Sequence, residues 1–375
     1  MWDKIIGQNS VIEKLINIRN SGKIAHSYIF YGIDGVGKDA VAIEFAKFIN
    51  CSNPVNNNAC DECHSCRQIS TLSSTDFKFI TALPVGRNES ESNDDPIQTM
   101  KEDDYKIYLS ELKEKSENNY YKINLQNANN IRISSIRQIK REIYLTNTKD
   151  KKKIFIISDA DKMNLQSSNS LLKILEEPPG NSLIILTTSR INYLLPTIFG
   201  RCQKIKFDSL SINDVKNYIL KVSSYSEYEA LFYAGLAEGS ISKCDEILKE
   251  DYLSLRETVI DLLRAIVSGK KLIISAEIKK ITGTKSKERV KQSLKILNIW
   301  LRDAFYLKNG LEEKIINKDK IESLEKFFKS FKFDSYKIIT SSEDLIKEVD
   351  GNQSLELLMY KKVFEIRDLI KPHSA

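Results

Sequence analysis

The segment Gly32-Ile33-Asp34-Gly35-Val36-Gly37-Lys38-Asp39 follows an apolar run at 28–31 and precedes an apolar helical stretch at 40–49. It matches the phosphate-binding loop G-x-x-x-x-G-K-[ST] at every fixed position except the last. In such a loop Gly32, Gly35 and Gly37 let backbone N–H groups turn toward a phosphate, the helix N-terminus adds positive potential, and Lys38 adds a point charge. The last position normally offers a hydroxyl to magnesium, and here it is Asp39. A carboxylate suits a helix N-terminus but repels a triphosphate. Hydrolysis at this loop is therefore not expected. The competing reading is a relic loop kept for its fold.

A second motif repeats that fault. Ile154-Phe155-Ile156-Ile157-Ser158-Asp159-Ala160-Asp161 is an apolar strand ending in acids, where nucleotide hydrolases place a magnesium-binding Asp and then a catalytic Glu. Ser158 falls on the metal position and has no carboxylate, while Asp159 is a methylene shorter than Glu. Thr187 and Thr188 end another strand, where a polar side chain can sense a γ-phosphate. Gly200-Arg201-Cys202 follows, and an arginine exposed there can reach a neighbouring subunit's phosphates, although a lone exposed arginine is commonly just a solvated charge.

Cys51-x8-Cys60-x2-Cys63-x2-Cys66 has the spacing of a zinc knuckle. Four thiolates leave no open position for water, so the expected Zn2+ is structural; His64 is an alternative ligand, and four free thiols are the competing reading. Cys202 and Cys244 lie outside the cluster. Arg137, Lys140 and Arg141 share one helical face, which suits a DNA phosphate backbone or simply solvent.

These residues need a scaffold. Strand patterns at 28–31, 77–80, 154–157, 183–187 and 204–207 alternate with helical stretches, as in a parallel sheet with crossover helices. The fold class is α/β. The segment 87–104 carries Asn, Ser, Asp and Glu in place of apolar residues and is expected not to order itself; it lies in an insertion at about 84–120. A capping-box spacing, Ser135 and Gln138, predicts a helix to about 145. Beyond 207, apolar residues recur three and four apart, which predicts helices at 211–222, 226–236, 240–249, 251–267 and 286–308.

Of 375 residues, 41% are hydrophobic and 29% charged, with 14 Gly and 7 Pro, which excludes collagenous and broadly disordered chains. The net charge of +6 permits a nucleic-acid partner without requiring one. No apolar run approaches the ~20 residues of a membrane span. Residues 1–6 lack an export signal, so a cytoplasmic protein with reduced thiols is expected.

Gly7-Gln8, the run 26–30, the loop 32–39, the four cysteines, the run 169–179 ending Glu176-Glu177-Pro178-Pro179, and Gly200-Arg201-Cys202 occur in an order that resembles the bacterial clamp-loader AAA+ subunits of DNA polymerase III. The resemblance covers about 1–248. It implies an AAA+ P-loop α/β domain at 1–208 with the zinc module 51–66, a helical lid at 209–248, and an all-α collar at 249–375. Two kinds of subunit share these features, the ATP-hydrolysing gamma/tau motor and the non-hydrolysing delta-prime stator. The motor keeps G-K-[ST] and an Asp-Glu pair, so the stator is the closer match. Ser242 stands where the motor carries an Arg, with Lys243 adjacent. Arg201 falls on the arginine of the family's S-R-C motif, which implies a finger acting in trans on a neighbour's ATP. The implied partners are the motor and delta subunits in a hetero-oligomer, with the sliding clamp and primed DNA reached through the complex and no membrane. A motor-type ATPase using Asp39 or Asp161 for magnesium, and a zinc-bearing DNA-binding module, remain as alternatives.

Overall fold

The computed structural model describes residues 1–72, 74–85, 95–144 and 151–372. The chain divides into two compact units. One comprises 1–211 with 239–242, and the other 212–238 with 243–375. The segment read as a separate lid, 209–248, is thus shared between them.

The first unit contains helix α1 (Asn9–Asn20), strand β1 (Ser27–Tyr31), α2 (Lys38–Asn50), α3 (His64–Ser70), β2 (Phe77–Ile80), α4 (Glu102–Glu117), α5 (Ile133–Ile143), β3 (Lys153–Ile157), α6 (Leu165–Glu176), β4 (Ser182–Thr188), α7 (Pro196–Arg201) and β5 (Gln203–Lys206). The five strands are parallel in the order β2-β3-β4-β1-β5. Every residue of β3 and β4 is buried; apolar Ile154–Ile157 and Leu183–Leu186 fill their middles, as needed when helices cover both faces, and the polar Lys153, Ser182, Thr187 and Thr188 lie at their ends. On one face Ile29, Phe155, Ile157, Ile184 and Leu186 meet Ile136, Ile139 and Ile143 of α5 and Leu171, Ile174 and Leu175 of α6. On the other, Phe45 of α2 packs edge-on against Tyr28 at 6.1 Å.

Two expectations for this unit need correction. Of the segment 87–104, residues 87–94 lie outside the described residues, but 95–104 are ordered. Pro96 and Thr99 close a turn, and Glu102, Asp103 and Asp104 form the first turn of α4. Three acids there complement the helix dipole, so a charge run that argues against a core favours a helix start. Tyr108 of α4 then joins Leu83 and Leu125 in a small apolar cluster of its own. The capping box at Ser135 and Gln138 does not form. Arg132 holds the N-cap position, the helix begins at Ile133, and the Ser135 hydroxyl is buried without a partner. The buried stripe Ile136, Ile139, Ile143 fixes the helix's rotation and turns Ser135 inward.

The second unit is built from α8 (Ile212–Val222), α9 (Glu227–Ala237), most of α10 (Ile241–Ile247), α11 (Tyr252–Val267), α12 (Lys271–Thr282), α13 (Lys287–Lys308), α14 (Ile321–Ser330), β6 (Phe331–Phe333), α15 (Ser335–Glu348), α16 (Leu355–Leu369) and β7 (Ile370–Pro372). It is not all-α: β6 and β7 pair as an antiparallel ribbon. Phe331-Lys332-Phe333 alternates with a period of two, and the Asp334 carboxylate then caps α15 by accepting from Lys337 N at 3.1 Å. Asp303 of α13 is wholly buried, and its carboxylate accepts from the backbone of Ile316 and Asn317 and from the Asn317 amide.

Candidate functional site

The phosphate-binding loop lies between β1 and α2, as its sequence context requires, but the chain itself packs into it. Gly35 and Gly37 have φ of +74° and +94°, a region L side chains rarely adopt. A Cβ on Gly35 would fall 2.1 Å from Ser240 Oγ, and one on Gly37 would fall 2.9 Å from the Tyr120 ring. Tyr120 is pinned at both ends. Its hydroxyl accepts from Ile6 N at 2.8 Å, and its carbonyl accepts from Ser242 Oγ at 3.1 Å. Lys38 folds back on the loop, donating to the carbonyls of Gly32 at 3.0 Å and Ile33 at 2.7 Å. Burial lowers the Lys38 pKa, and Asp39, Asp34 and Asp159 oppose that shift only in part.

Asp39, the residue that breaks the motif, is the hub of the site. Its Oδ1 accepts from Thr187 Oγ1 at 2.6 Å and its Oδ2 from Ser158 Oγ at 2.7 Å, while Lys115 Nζ lies 3.4 Å from Oδ2. Burial would raise the carboxyl's pKa, but Lys115 and the two hydroxyls outweigh it and hold Asp39 below the ordinary carboxylate range. Ser158, sited where a hydrolase carries its metal Asp, therefore serves Asp39. Asp159 is at a left-handed backbone position, 3.0 Å from Lys162 and 3.9 Å from Lys122, and Lys122 also pairs with Asp34.

Thr188 is not brought to this cleft. It donates to Asp161 Oδ1 at 2.7 Å, and Arg190 holds the other Asp161 oxygen at 2.7 Å. Ser242, at the position of the motor's arginine, serves Tyr120, and the neighbouring Lys243 pairs with Glu238. The space left between the loop, Lys115, Tyr120, Ser158 and Asp159 is about 40 Å³, far below the roughly 300–1,000 Å³ of ligand pockets.

Lys115, Tyr120 and Lys122 escaped the sequence reading. The first carried a signal: Tyr108, Leu112 and Lys115 stand at i, i+4 and i+7 of α4, so a lysine occupies a core position of that helix. Tyr108 and Lys115 are indeed its buried residues.

Arg201 ends α7 away from this network. Its guanidinium donates to Thr197 O at 3.0 Å and to Glu176 Oε1 at 2.8 Å, and both charged side chains remain well exposed. A Cβ on Gly200 would meet nothing within 4 Å, so glycine in place of the motif's serine leaves the backbone's surroundings unaltered. Arg137, Lys140 and Arg141 lie on the outer side of α5, half-buried in the first case and exposed in the others.

The sulfurs of Cys51, Cys60, Cys63 and Cys66 all lie within 4.8 Å of one another, a cluster that can hold a metal ion. A tetrahedral shell at ~2.3 Å per metal–sulfur bond needs sulfurs about 3.8 Å apart, so the residues fit the ion. The N–H groups of Cys60 and Cys63 donate to the sulfurs of Cys51 and Cys60, each at 3.3 Å. Backbone donation by Cys63 lowers the Cys60 pKa, whereas burial raises Cys51 and Cys66. Cys63, raised by burial but lowered more by donors from Ser52 and Cys66, settles at about 6. Asp61, inside the cluster's loop, ties it to α2 through Lys47 at 2.7 Å. Among the described residues no helix is long and apolar enough to cross a membrane.

Comparison with known proteins places these features. The family described as "DNA polymerase III, delta subunit" matches residues 7–211, and "DNA polymerase III, delta subunit, C terminal" matches 250–358. The DNA polymerase III subunit delta' of Bacillus subtilis is 23% identical over 85% of this chain and 83% of its own length. The DNA polymerase III subunit gamma of Buchnera aphidicola subsp. Schizaphis graminum is 26% identical over 66% of this chain, which spans 57% of that relative's length. A DNA polymerase III gamma subunit-related protein of Thermotoga maritima aligns over 96% of this chain and 99% of its own, with 16% identity and a TM-score of 0.43. With the first match covering more than half of its residues, the chain belongs to the DNA polymerase III delta-subunit family.

Proposed function

We propose that this chain is the non-hydrolysing, delta-prime-type stator of a DNA polymerase III clamp loader. The observation that carries the reading is the state of Asp39: both its oxygens are engaged by Thr187, Ser158 and Lys115, so no group at the loop is left to organise magnesium. The same bonds weigh against a motor that recruits Asp39 to the metal, and the Arg190 and Thr188 contacts weigh equally against Asp161. ATP and Mg2+ are accordingly not cofactors of this subunit, and Zn2+ held by Cys51, Cys60, Cys63 and Cys66 is a structural one.

In this reading Arg201 acts on a neighbour. Its guanidinium leaves Glu176 for the phosphoryl oxygens of ATP bound to an adjacent gamma/tau motor, where it neutralises charge that builds in the transition state. Such a finger is worth ~10³–10⁵ in rate. Residues 209–248 serve as lid and 249–375 as the collar that joins the motor and delta subunits, so the cytoplasmic hetero-oligomer loads a sliding clamp on primed DNA. Arg137, Lys140 and Arg141 provide at most a weak DNA contact.

The test is DNA-stimulated ATP hydrolysis by the cognate motor and its partners, with this chain, with its Arg201→Ala form, and with this chain alone. An inactive isolated chain and a depressed rate with Arg201→Ala are expected. Turnover by the isolated chain, or an unchanged mixture, would sink the reading.

A further inference from the structure

The insertion supplies the residues that fill the cleft. Lys115 is almost fully buried, and its ammonium has three acceptors for its three protons: Asp39 Oδ2 at 3.4 Å, Asn119 O at 2.8 Å and Tyr121 O at 2.8 Å. Five residues on, the Tyr120 ring lies against Gly37. Two further on, Lys122 reaches Asp34 and Asp159. One short segment thus grips the loop at three points. It also balances the charge there, because Asp34, Asp39 and Asp159 face Lys38, Lys115 and Lys122. Lys162 adds a fourth ammonium 3.0 Å from Asp159, and each of these lysines is already held by a carboxylate or carbonyl of the chain, so little positive charge is left for a polyphosphate.

We propose that residues 102–122 are a resident occupant of the nucleotide cleft: the Lys115 ammonium stands in for the metal ion and Tyr120 covers the loop. The insertion, and not the substitution at residue 39 alone, closes the cleft to nucleotides. The proposal rests on reading 32–39 as a nucleotide loop and makes no use of Arg201.

It separates two causes that the sequence alone confounds. If Asp39 were the only barrier, Asp39→Thr would restore G-K-T and binding with it. With the occupant in place, Asp39→Thr still meets Tyr120 over Gly37 and an ammonium at the metal position. Only when the occupant is also cut back does the loop open.

The test measures equilibrium binding of a fluorescent ADP analogue with magnesium to the full chain, to Asp39→Thr, and to Asp39→Thr combined with Lys115→Ala and Tyr120→Ala, each first checked for cooperative unfolding. The native chain should give no saturable binding, Asp39→Thr no more than weak binding, and the triple variant should bind at least roughly tenfold more tightly than Asp39→Thr. Binding by the native chain, or equal behaviour of the single variant and a folded triple variant, would overturn the proposal. Should the triple variant fail to fold, amine acylation of the native chain followed by mass spectrometry decides. Lys115 should react at least roughly tenfold more slowly than the exposed Lys106 and Lys113, and comparable rates overturn the occupant. Both readouts use the isolated chain, so their failure is distinct from an effect of Arg201 on a neighbour's turnover.

Discussion

Lys115 and Asp39, 76 residues apart in sequence, place an ammonium 3.4 Å from a carboxylate oxygen, with the lysine almost fully buried. Removing the carboxylate leaves the ammonium in a site that cannot hydrate it, whereas the Asp39 side chain is 22% exposed and keeps two hydroxyl donors when the lysine is removed. Asp39→Asn, which strands the buried ammonium, should therefore cost about 3–5 kcal/mol, Lys115→Met should cost less, and Asp39→Asn with Lys115→Met should cost clearly less than the sum of the two. Urea unfolding of the three variants measures this cycle, and strict additivity would mean that the two groups do not interact.

The same carboxylate sets a pH response. Because the folded state holds the Asp39 pKa below its unfolded value, its stabilising contribution is present above pH ~4 and is lost as pH falls through the depressed folded value. Native stability should decline as the pH falls below about 4, and Asp39→Asn should flatten that decline. An unaltered acid profile in the variant would contradict the assignment.

Gly37→Ala tests how closely Tyr120 covers the loop. The new Cβ would meet a φ of +94° and the Tyr120 ring at 2.9 Å, so a loss of about 1–3 kcal/mol is expected. Adding Tyr120→Ala should relieve only the steric part. If Gly37→Ala is neutral, the ring does not lie on the loop.

Metal content checks the cysteine cluster. The chain should carry about one ion, and cobalt substitution should give thiolate charge-transfer bands that Cys60→Ser and Cys66→Ser weaken. Because only the thiolate binds, protons compete with the ion and retention should fall as the pH is lowered. A chain that folds equally well with chelator and without the ion would count against a structural role.

Arg201→Ala should leave the fold intact. The pair with Glu176 is exposed on both sides, and exposed pairs contribute ~0–1 kcal/mol. Thermal unfolding within that range of the native chain would let a change in a mixture's ATP turnover be read as chemistry rather than misfolding.

The parts of the fold written in local pattern were the legible ones. All five strands of the sheet fall within a residue or two of the runs that mark them: the centres of β1, β3 and β4 are apolar because both faces are covered, and β2 and β5 show alternation. The loop 32–39 and the four cysteines were legible from fixed spacing. The contacts that decide the loop's state were not, since Lys115, Tyr120 and Thr187 reach Asp39 or Gly37 from elements 76 to 148 residues away. The start of α4 was misread because acids at a helix N-terminus look, in composition, like a segment with nothing to bury. The Ser-x-x-Gln spacing at 135–138 points to a helix start two residues too late, because the apolar stripe Ile136, Ile139, Ile143 and not a cap sets the rotation of α5.

Strand β1 ends at the loop that Lys38 and Tyr120 close, and at its other end Ser27 Oγ donates to the carbonyl of Arg201 at 3.2 Å. Five residues of extended chain, about 17 Å long, run from one to the other. A strand flanked by β4 and β5 on its two edges is stiff along its axis. On the proposed reading, in which the salt-bridged filling stays in the loop, β1 ties the backbone at Arg201 to an end of the sheet whose contents do not change.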